Sequence, residues 1–240
     1  MATHRDDIVI VHSSDLHIDD GYTMRAWGGD GNGPLAAVID AARAASAELL
    51  LLTGDVFEHN RLKDDILART ASLLSEAPMR IVILPGNHDP LVPASVWLRG
   101  GITDIENVNV LGHDGDSAVF PDWDLEIWGR AHIDYDDMRP LAGAPGRRAR
   151  RHVVAGHGHF VEEHPGDDGP RAAWLITPDD IEATGADYVA LGHWNVHTNV
   201  GSEAVPAFYS GAPDYAETAN LIRLSAAGDA GVDRIAVRTP

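Results

Sequence analysis

An amide, an imidazole and a carboxylate stand side by side at Asn87-His88-Asp89, directly after the breaker pair Pro85-Gly86. Together they offer a neutral oxygen ligand, a proton donor or metal ligand, and an acceptor that can orient the imidazole. Four other short segments carry similar residues: Asp15 with His17, Asp55, His157 with His159, and His193 with Asn195 and His197. Such a mixture suits a pair of divalent ions, manganese first and iron or zinc as alternatives, better than calcium, which prefers oxygen alone. Singly, each residue has a plainer explanation, since Asp after Gly forms turns and a His at a strand end is often a hydrogen-bonded structural residue. Turn chemistry does not account for Gly-Asp, Gly-Asn-His-Asp and two Gly-His segments each placed at the end of an apolar run.

Those apolar runs are the elements that must position the chemistry. Residues 8–11, 48–53, 81–84, 152–155 and 188–191 read as buried strands, and each delivers one segment at its C-terminal end, where open α/β sheets keep their active sites. Within an extended segment, residues two apart face the same way, so Asp15 and His17 can grip one ion. Helical spacing of apolar residues predicts helices over 35–47 and 62–74, with Pro34 opening the first. Two strand-helix-strand units in a row imply a mainly parallel, buried sheet. After Asp89 short strands at 107–111, 118–120 and 125–129 follow with little helix, so a second, mixed sheet is expected to begin there. Thr177-Pro178 is a helix start, and the segments at 207–210, 220–224 and 235–238 read as antiparallel strands. A single α/β domain over 1–240 is expected.

Composition bounds the rest. There is no cysteine, which excludes disulfides, thiolate metal sites and a cysteine nucleophile. No apolar run approaches the ~18 residues of a membrane span, and the polar start lacks the apolar core of a secretion signal, so a soluble, cytoplasmic protein without membrane contact is expected. Acidic residues outnumber basic ones 37 to 18, giving a net charge of −19, so an extended footprint for a nucleic-acid backbone is not expected and any such binding should be weak. The one basic cluster, at 147–151 after a Gly/Pro-rich stretch, reads as a solvated loop or as a local phosphate-binding patch. Trp97, Trp123, Trp128, Trp174 and Trp194 could line a cleft, with core packing the commoner role for such residues.

The chain resembles the calcineurin-like metallophosphoesterases, whose motifs read Asp-x-His, Gly-Asp, Gly-Asn-His-(Asp/Glu), His and Gly-His-x-His. They occur here in order between residue 8 and about 225, the last without its second histidine. His12-Ser13-Ser14-Asp15-Leu16-His17, Gly54-Asp55-Val56-Phe57, Tyr188-Val189-Ala190-Leu191-Gly192-His193 and Tyr209-Ser210-Gly211-Ala212-Pro213 are similar to the SbcD-type DNA repair exonuclease branch. The resemblance implies a four-layer α/β/β/α sandwich of two mixed β-sheets with a dinuclear site. It implies that Asp15 and His17 hold one ion, that Asp55 bridges, and that Asn87, His157 and His193 hold the other, with His159 the alternative to His157. His88 would protonate the leaving oxygen, with Asp89 available to orient it.

Two departures stand out. Where the family's last motif has a second histidine the chain has Asn195, so either that amide or His197 is expected to complete the first ion's shell. The chain also stops soon after the core strands, so the capping region that SbcD-type nucleases use on DNA is expected to be missing. The function expected is therefore a phosphoesterase acting on a phosphodiester, a small nucleotide or an accessible nucleic-acid end, by attack of a hydroxide shared between two ions. A phosphomonoesterase is the second reading, and a catalytically silent binding protein of the same fold the third.

Overall fold

Strands whose residues are apolar on both faces are stable only when both faces are covered, and that requirement organises the molecule. A computed structural model describes residues 7–19, 21–29, 31–113, 115–163 and 173–238. The polar stretch 1–6, on which the expected lack of a secretion signal rests, lies outside them.

Strand β1 (Asp7–Ser13) is followed by the short helix α1 (Tyr22–Trp27), by α2 (Gly33–Ala44), which carries Pro34 in its first turn, and by β2 (Leu49–Thr53). Helix α3 (Asp64–Ser75) leads to β3 (Arg80–Leu84), and the single turn α4 (Val96–Arg99) to β4 (Val108–Val110). Then come β5 (Ser117–Phe120), β6 (Leu125–Gly129), β7 (Arg151–His157), and the two-residue strands β8 (His159–Phe160) and β9 (Leu175–Ile176), which pair with each other. Helix α5 (Pro178–Thr184) begins in a capping box between Thr177 and Asp180, as its sequence predicts. It leads to β10 (Tyr188–Gly192), β11 (Thr198–Asn199), β12 (Ala207–Tyr209), the turn α6 (Pro213–Ala216), β13 (Thr218–Ser225) and β14 (Ala230–Ala236).

The first sheet has the order β14-β13-β1-β2-β3-β4, and the second β11-β12-β10-β7-β6-β5. Strands β1 to β4 are parallel, while β13 and β14 are antiparallel additions. In the second sheet β6, β7, β10 and β12 are parallel, and β5 and β11 are antiparallel edges. Both sheets are thus mixed. Two expectations need correction. β4 still belongs to the first sheet, beside β3, because a crossover through α4 returns the chain to it. β12 runs parallel to β10, and β13 leaves the second sheet to pair with β1, so the C-terminal strands are not one antiparallel group.

Side-chain alternation divides the core into three layers. Val11, Leu50, Leu52, Ile81 and Ile83 face α2 and α3, and meet Leu35, Val38, Ile66 and Leu67. Ile8, Ile10, Leu49, Leu51, Val82 and Leu84 face the second sheet across Leu125, Ile127, Val153 and Ala190. On the far side Val154, Val189 and Leu191 pack on Ile176 and Ile181 of the α5 region. The result is the expected α/β/β/α order, with its fourth layer reduced to a single helix of seven residues. No helix among the described residues is long and apolar enough to cross a membrane.

The basic cluster at 147–151 is paired within the fold. Arg147 spans Asp187 with contacts of 2.5 and 2.8 Å, and Arg148 pairs with the buried Glu126. Arg151 is itself buried and donates to the carbonyls of Ser225 and Trp123. Residues 147–150 form the expected solvated loop, with Arg147, Arg148 and Arg150 exposed and each paired to an acidic residue, and only Arg151 enters the second sheet.

Candidate metal centre

The C-terminal ends of five parallel strands, β1, β2 and β3 of one sheet and β7 and β10 of the other, meet across the gap between the sheets. Beyond the strands proper the loops after β1 and β2 zip together, with Asp15 N–H donating to Gly54 O (3.0 Å), His17 N–H to Asp55 O (3.0 Å) and Ile18 N–H to Val56 O (2.9 Å). This ladder holds Asp15 (φ 56°), His17 (φ 46°) and Asp55 (φ 51°) in left-handed conformations, and His193 (φ 107°) lies at positive φ as well. Backbone strain of this kind costs of order 1–3 kcal/mol per residue and survives only where neighbouring contacts over-determine it. Here it turns all four side chains toward one point.

Three groups of donor atoms converge there, within 4.8 Å of one another in each: Asp15-His17-Asp55, Asp55-His157-His193, and His17-Glu58-His88. Asp55 is shared by the first two, so its carboxylate lies between them. The Oδ1 atom accepts His88 N–H (2.9 Å), and Oδ2 is 3.1 Å from His157 Nε2. His157 Nδ1–H donates to Thr53 O (2.8 Å), which leaves Nε2 pointed at Asp55 and at Asn87 Oδ1 (3.0 Å). A backbone carbonyl that fixes the tautomer in this way is the usual support of an imidazole metal ligand. Asp15 is oriented by Ser14 Oγ–H (2.5 Å) and by the backbone N–H of His193 (3.0 Å) on its Oδ2.

The electrostatics call for a cation. Burial opposes a charge on His157, but the Asp55 carboxylate outweighs it and holds the pKa up at about 9. Burial likewise opposes a charged His17, yet the hydrogen bond it donates to Glu58 and the charges of Asp55 and Asp15 raise it to about 9. Burial raises the Asp15 carboxyl, Asp55 adding to the effect. Asp55 is pulled well below the usual carboxylate range, because the histidines around it overcome its desolvation. His193 is pushed down to about 4 by burial and by the charge on His157. Two buried carboxylates, imidazoles that can exchange a proton for a metal and an amide oxygen fit divalent ions.

Glycine is required where these loops cross. A Cβ on Gly86 would lie 2.3 Å from Asp55 Oδ1, and one on Gly54 2.1 Å from His157 Nδ1. Gly86→Ala is therefore expected to destabilise the protein by about 1–3 kcal/mol, the cost of overpacking, and to lower metal content by displacing Asp55. Thermal melting and elemental analysis would check it, and an unchanged metal content would show that Asp55 is not held by this contact.

Six of the expected residues, Asp15, His17, Asp55, Asn87, His157 and His193, are thus brought together, with His88 at their edge. The choice between His157 and His159 falls to His157, since His159 Nδ1 instead accepts from Trp194 Nε1 (3.1 Å). Three expectations are corrected. Asp89 is wholly buried, and its carboxylate accepts the N–H groups of Gly86 (2.7 Å) and Phe57 (3.0 Å), so it pins the loop and does not orient His88. His197 belongs to none of the three converging groups, and its Nδ1 lies 2.8 Å from Asn220 Oδ1. Asn195 is exposed, and its anchorage is through its backbone carbonyl, which accepts Ala212 N–H.

The residue that takes Asp89's expected place is Glu58, missed in the sequence although it lies three positions after Asp55. Its carboxylate is 2.8 Å from His17 Nδ1 and 3.5 Å from His88 Nδ1, and its carbonyl is 3.0 Å from the same His88 nitrogen. His132 was missed as well: it donates from Nε2 to His157 O (3.0 Å) and packs edge-on to Trp174. Of the tryptophans, Trp174 packs edge-on to His193, with 6.0 Å between ring centres, whereas Trp97 and Trp128 are buried in the core.

The calcineurin-like phosphoesterase family matches residues 8–203. This chain belongs to that family. It is 28% identical over 227 residues to the uncharacterized metallophosphoesterase YhaO of Bacillus subtilis, covering 85% of this chain and 53% of that one, so the match spans about half of the relative's length. The fold is similar to TT1561 of Thermus thermophilus (TM-score 0.59, 13% identity, 96% and 99% of the two chains). It is also similar to a putative 5′-nucleotidase of Staphylococcus aureus (TM-score 0.63, 15% identity, 96% and 54%). The family to which residues 8–203 belong is one of phosphoesterases, and membership in it implies divalent ions at such a centre.

Proposed function

We propose that this protein is a dinuclear phosphodiesterase acting on a small nucleotide-like diester or an accessible nucleic-acid end. The observation that carries the diester reading is geometric: among the described residues, Asp15, Asp55, His157 and His193 contact serine, histidine, asparagine and backbone groups, with no Lys or Arg among these partners. Little protein charge is then available to offset a dianionic monoester, while a diester brings one negative charge. The SbcD-type motifs support a nucleotide diester, whereas the likeness to a putative 5′-nucleotidase is one of fold.

Asp15 and His17 would hold the first ion and Asn87, His157 and His193 the second, with Asp55 between them. Bound divalent ions lower the pKa of a water and offset charge on phosphoryl oxygens. His88 acts on the leaving group. Its Nδ1–H is directed to Glu58 O, so Nε2 is the end free to give a proton to the departing alkoxide oxygen, and the Glu58 carboxylate stabilises the imidazolium that does so.

The test uses chelator-stripped protein with manganese, zinc, iron or calcium restored singly, and a chromogenic diester beside the matching monoester. Hydrolysis should need a transition ion and favour the diester in kcat/KM. A faster monoester reaction would establish a phosphomonoesterase; two bound ions with no hydrolysis of either would leave a binding protein.

Two further outcomes follow from the same reading. An exposed amide at 195 supplies no imidazole, so the first ion should bind more weakly than the second, as read by calorimetric titration; equal affinity at both sites would refute this. Duplex DNA should bind weakly and with a shallow salt dependence, since the arginines at 147–151 are already paired or buried. Filter binding across a salt series would expose a steep dependence if a footprint exists.

A further inference from the structure

Behind the metal centre, in a core between the sheets that is otherwise apolar, lies a polar chain that the reaction does not use. His12, Asn220 and Tyr188 are essentially fully buried. His197 Nδ1 is 2.8 Å from Asn220 Oδ1, Asn220 Nδ2 is 3.2 Å from Tyr188 Oη, Tyr188 Oη is 2.9 Å from His12 Nδ1, and His12 Nε2 is 2.8 Å from Thr53 Oγ1. One assignment of protons satisfies every step. His197 donates to the amide oxygen, the amide donates to the phenol, the phenol donates to His12, and His12 donates to Thr53. Burial lowers the His12 pKa to about 3, so the ring is neutral and can serve as acceptor on one side and donor on the other.

The chain joins the two halves of the centre. His12, Thr53 and Asn220 belong to the first sheet, whose strand ends carry Asp15 and Asp55; Tyr188 begins β10, whose other end carries His193. Thr53 is the meeting point, because its carbonyl accepts Nδ1–H of His157 from β7 of the second sheet. The aliphatic contacts between the sheets, Ile10, Leu51 and Val82 on Ile127 and Val153, are non-directional and resist a small slide of one sheet on the other only weakly. Hydrogen bonds have fixed lengths and angles and do resist it. A centre whose donors come from both sheets depends on that register, since productive geometry tolerates errors of only about half an ångström.

We propose that His12, Tyr188 and Asn220, with His197 at the outer end, are positioning residues that lock the register of the two sheets and so hold His157 and His193 against Asp15 and Asp55. The proposal rests on the metal-centre reading above, and it gives His197 a role other than that of ligand.

Tyr188→Phe removes one oxygen and keeps the ring stacked on Phe208 (6.1 Å, 19°). Ile127→Val, in the apolar part of the same interface, serves as a control for a plain loss of packing. Manganese affinity is measured well below the melting temperature by titration, and the spin coupling of the manganese-loaded protein by electron paramagnetic resonance. Tyr188→Phe should weaken binding by about 10- to 100-fold, the range for outer-shell partners of metal ligands, and should alter the coupling. Ile127→Val should lower the melting temperature and change neither. His197→Ala cuts the chain at its less buried end, where folding is least at stake, and should cause a several-fold loss of affinity. The proposal is overturned if Tyr188→Phe and His197→Ala bind manganese as the wild type does, or if Ile127→Val weakens binding as much as they do. If the wild type itself binds no divalent ion, the metal-centre reading fails first.

Discussion

Asp55→Asn is expected to abolish hydrolysis, lowering kcat/KM by at least about a thousandfold, while the protein remains folded. The loss of one preorganised charge-stabilising group costs on the order of 10²–10³ in rate, and Asp55 stands in two of the three groups of converging donors. Asparagine keeps an oxygen that can accept the His88 N–H bond (2.9 Å), so the loop between β3 and His88 need not move. It removes the charge beside His157 Nε2 (3.1 Å) that draws a cation into a buried site. The variant should therefore melt within a few degrees of wild type and retain little metal by elemental analysis, and excess chelator should reduce the wild type to the same background. Retention of both ions at full stoichiometry by Asp55→Asn would contradict the sharing of this carboxylate, and full hydrolysis in metal-free protein would contradict the whole centre.

Much of this was legible because strand ends announce themselves. Apolar runs at 48–53, 81–84 and 188–191 end in Gly or Pro-Gly, so both the strand and the residue it delivers can be read together. The inner-outer alternation of Leu49 to Leu52, in contrast, is invisible in a run of four leucines buried on both faces, and only the register against Ile10 and Ile81 sorts them. Sheet membership was misread for β4 and β12 for a related reason: a strand of three residues carries too little pattern to say which neighbour it pairs with. The assignment of Asp89 failed because adjacency in sequence says nothing of direction. The loop sends His88 outward and Asp89 inward, onto Gly86 and Phe57. Glu58 escaped notice because its partner His88 is thirty residues away, and the His197 network because its members lie on β1, β2, β10 and β13. Long-range polar pairs leave no periodic trace.

His88→Ala should separate proton transfer from metal binding. His88 touches the centre through its backbone N–H on Asp55, which alanine retains, and its ring stands 4.9 Å from that of His17 without sharing a ligand atom with Asp15. Metal content is therefore expected to stay near wild type while kcat falls by about 10²–10⁴-fold, the usual worth of a general acid. The loss should shrink as the leaving group improves, because a nitrophenolate needs less protonation than an alkoxide. Glu58→Gln tests the support behind it. The backbone carbonyl of Glu58 still accepts from His88 Nδ1 (3.0 Å), but the charge at 3.5 Å that favours the imidazolium is gone, as is the partner of His17 Nδ1 at 2.8 Å. This variant should thus lose part of the rate by the same leaving-group-dependent route and, unlike His88→Ala, should also bind the first ion less tightly. A His88→Ala protein that loses metal in step with activity, or that slows a good and a poor leaving group alike, would make His88 a ligand and leave the proton to another group.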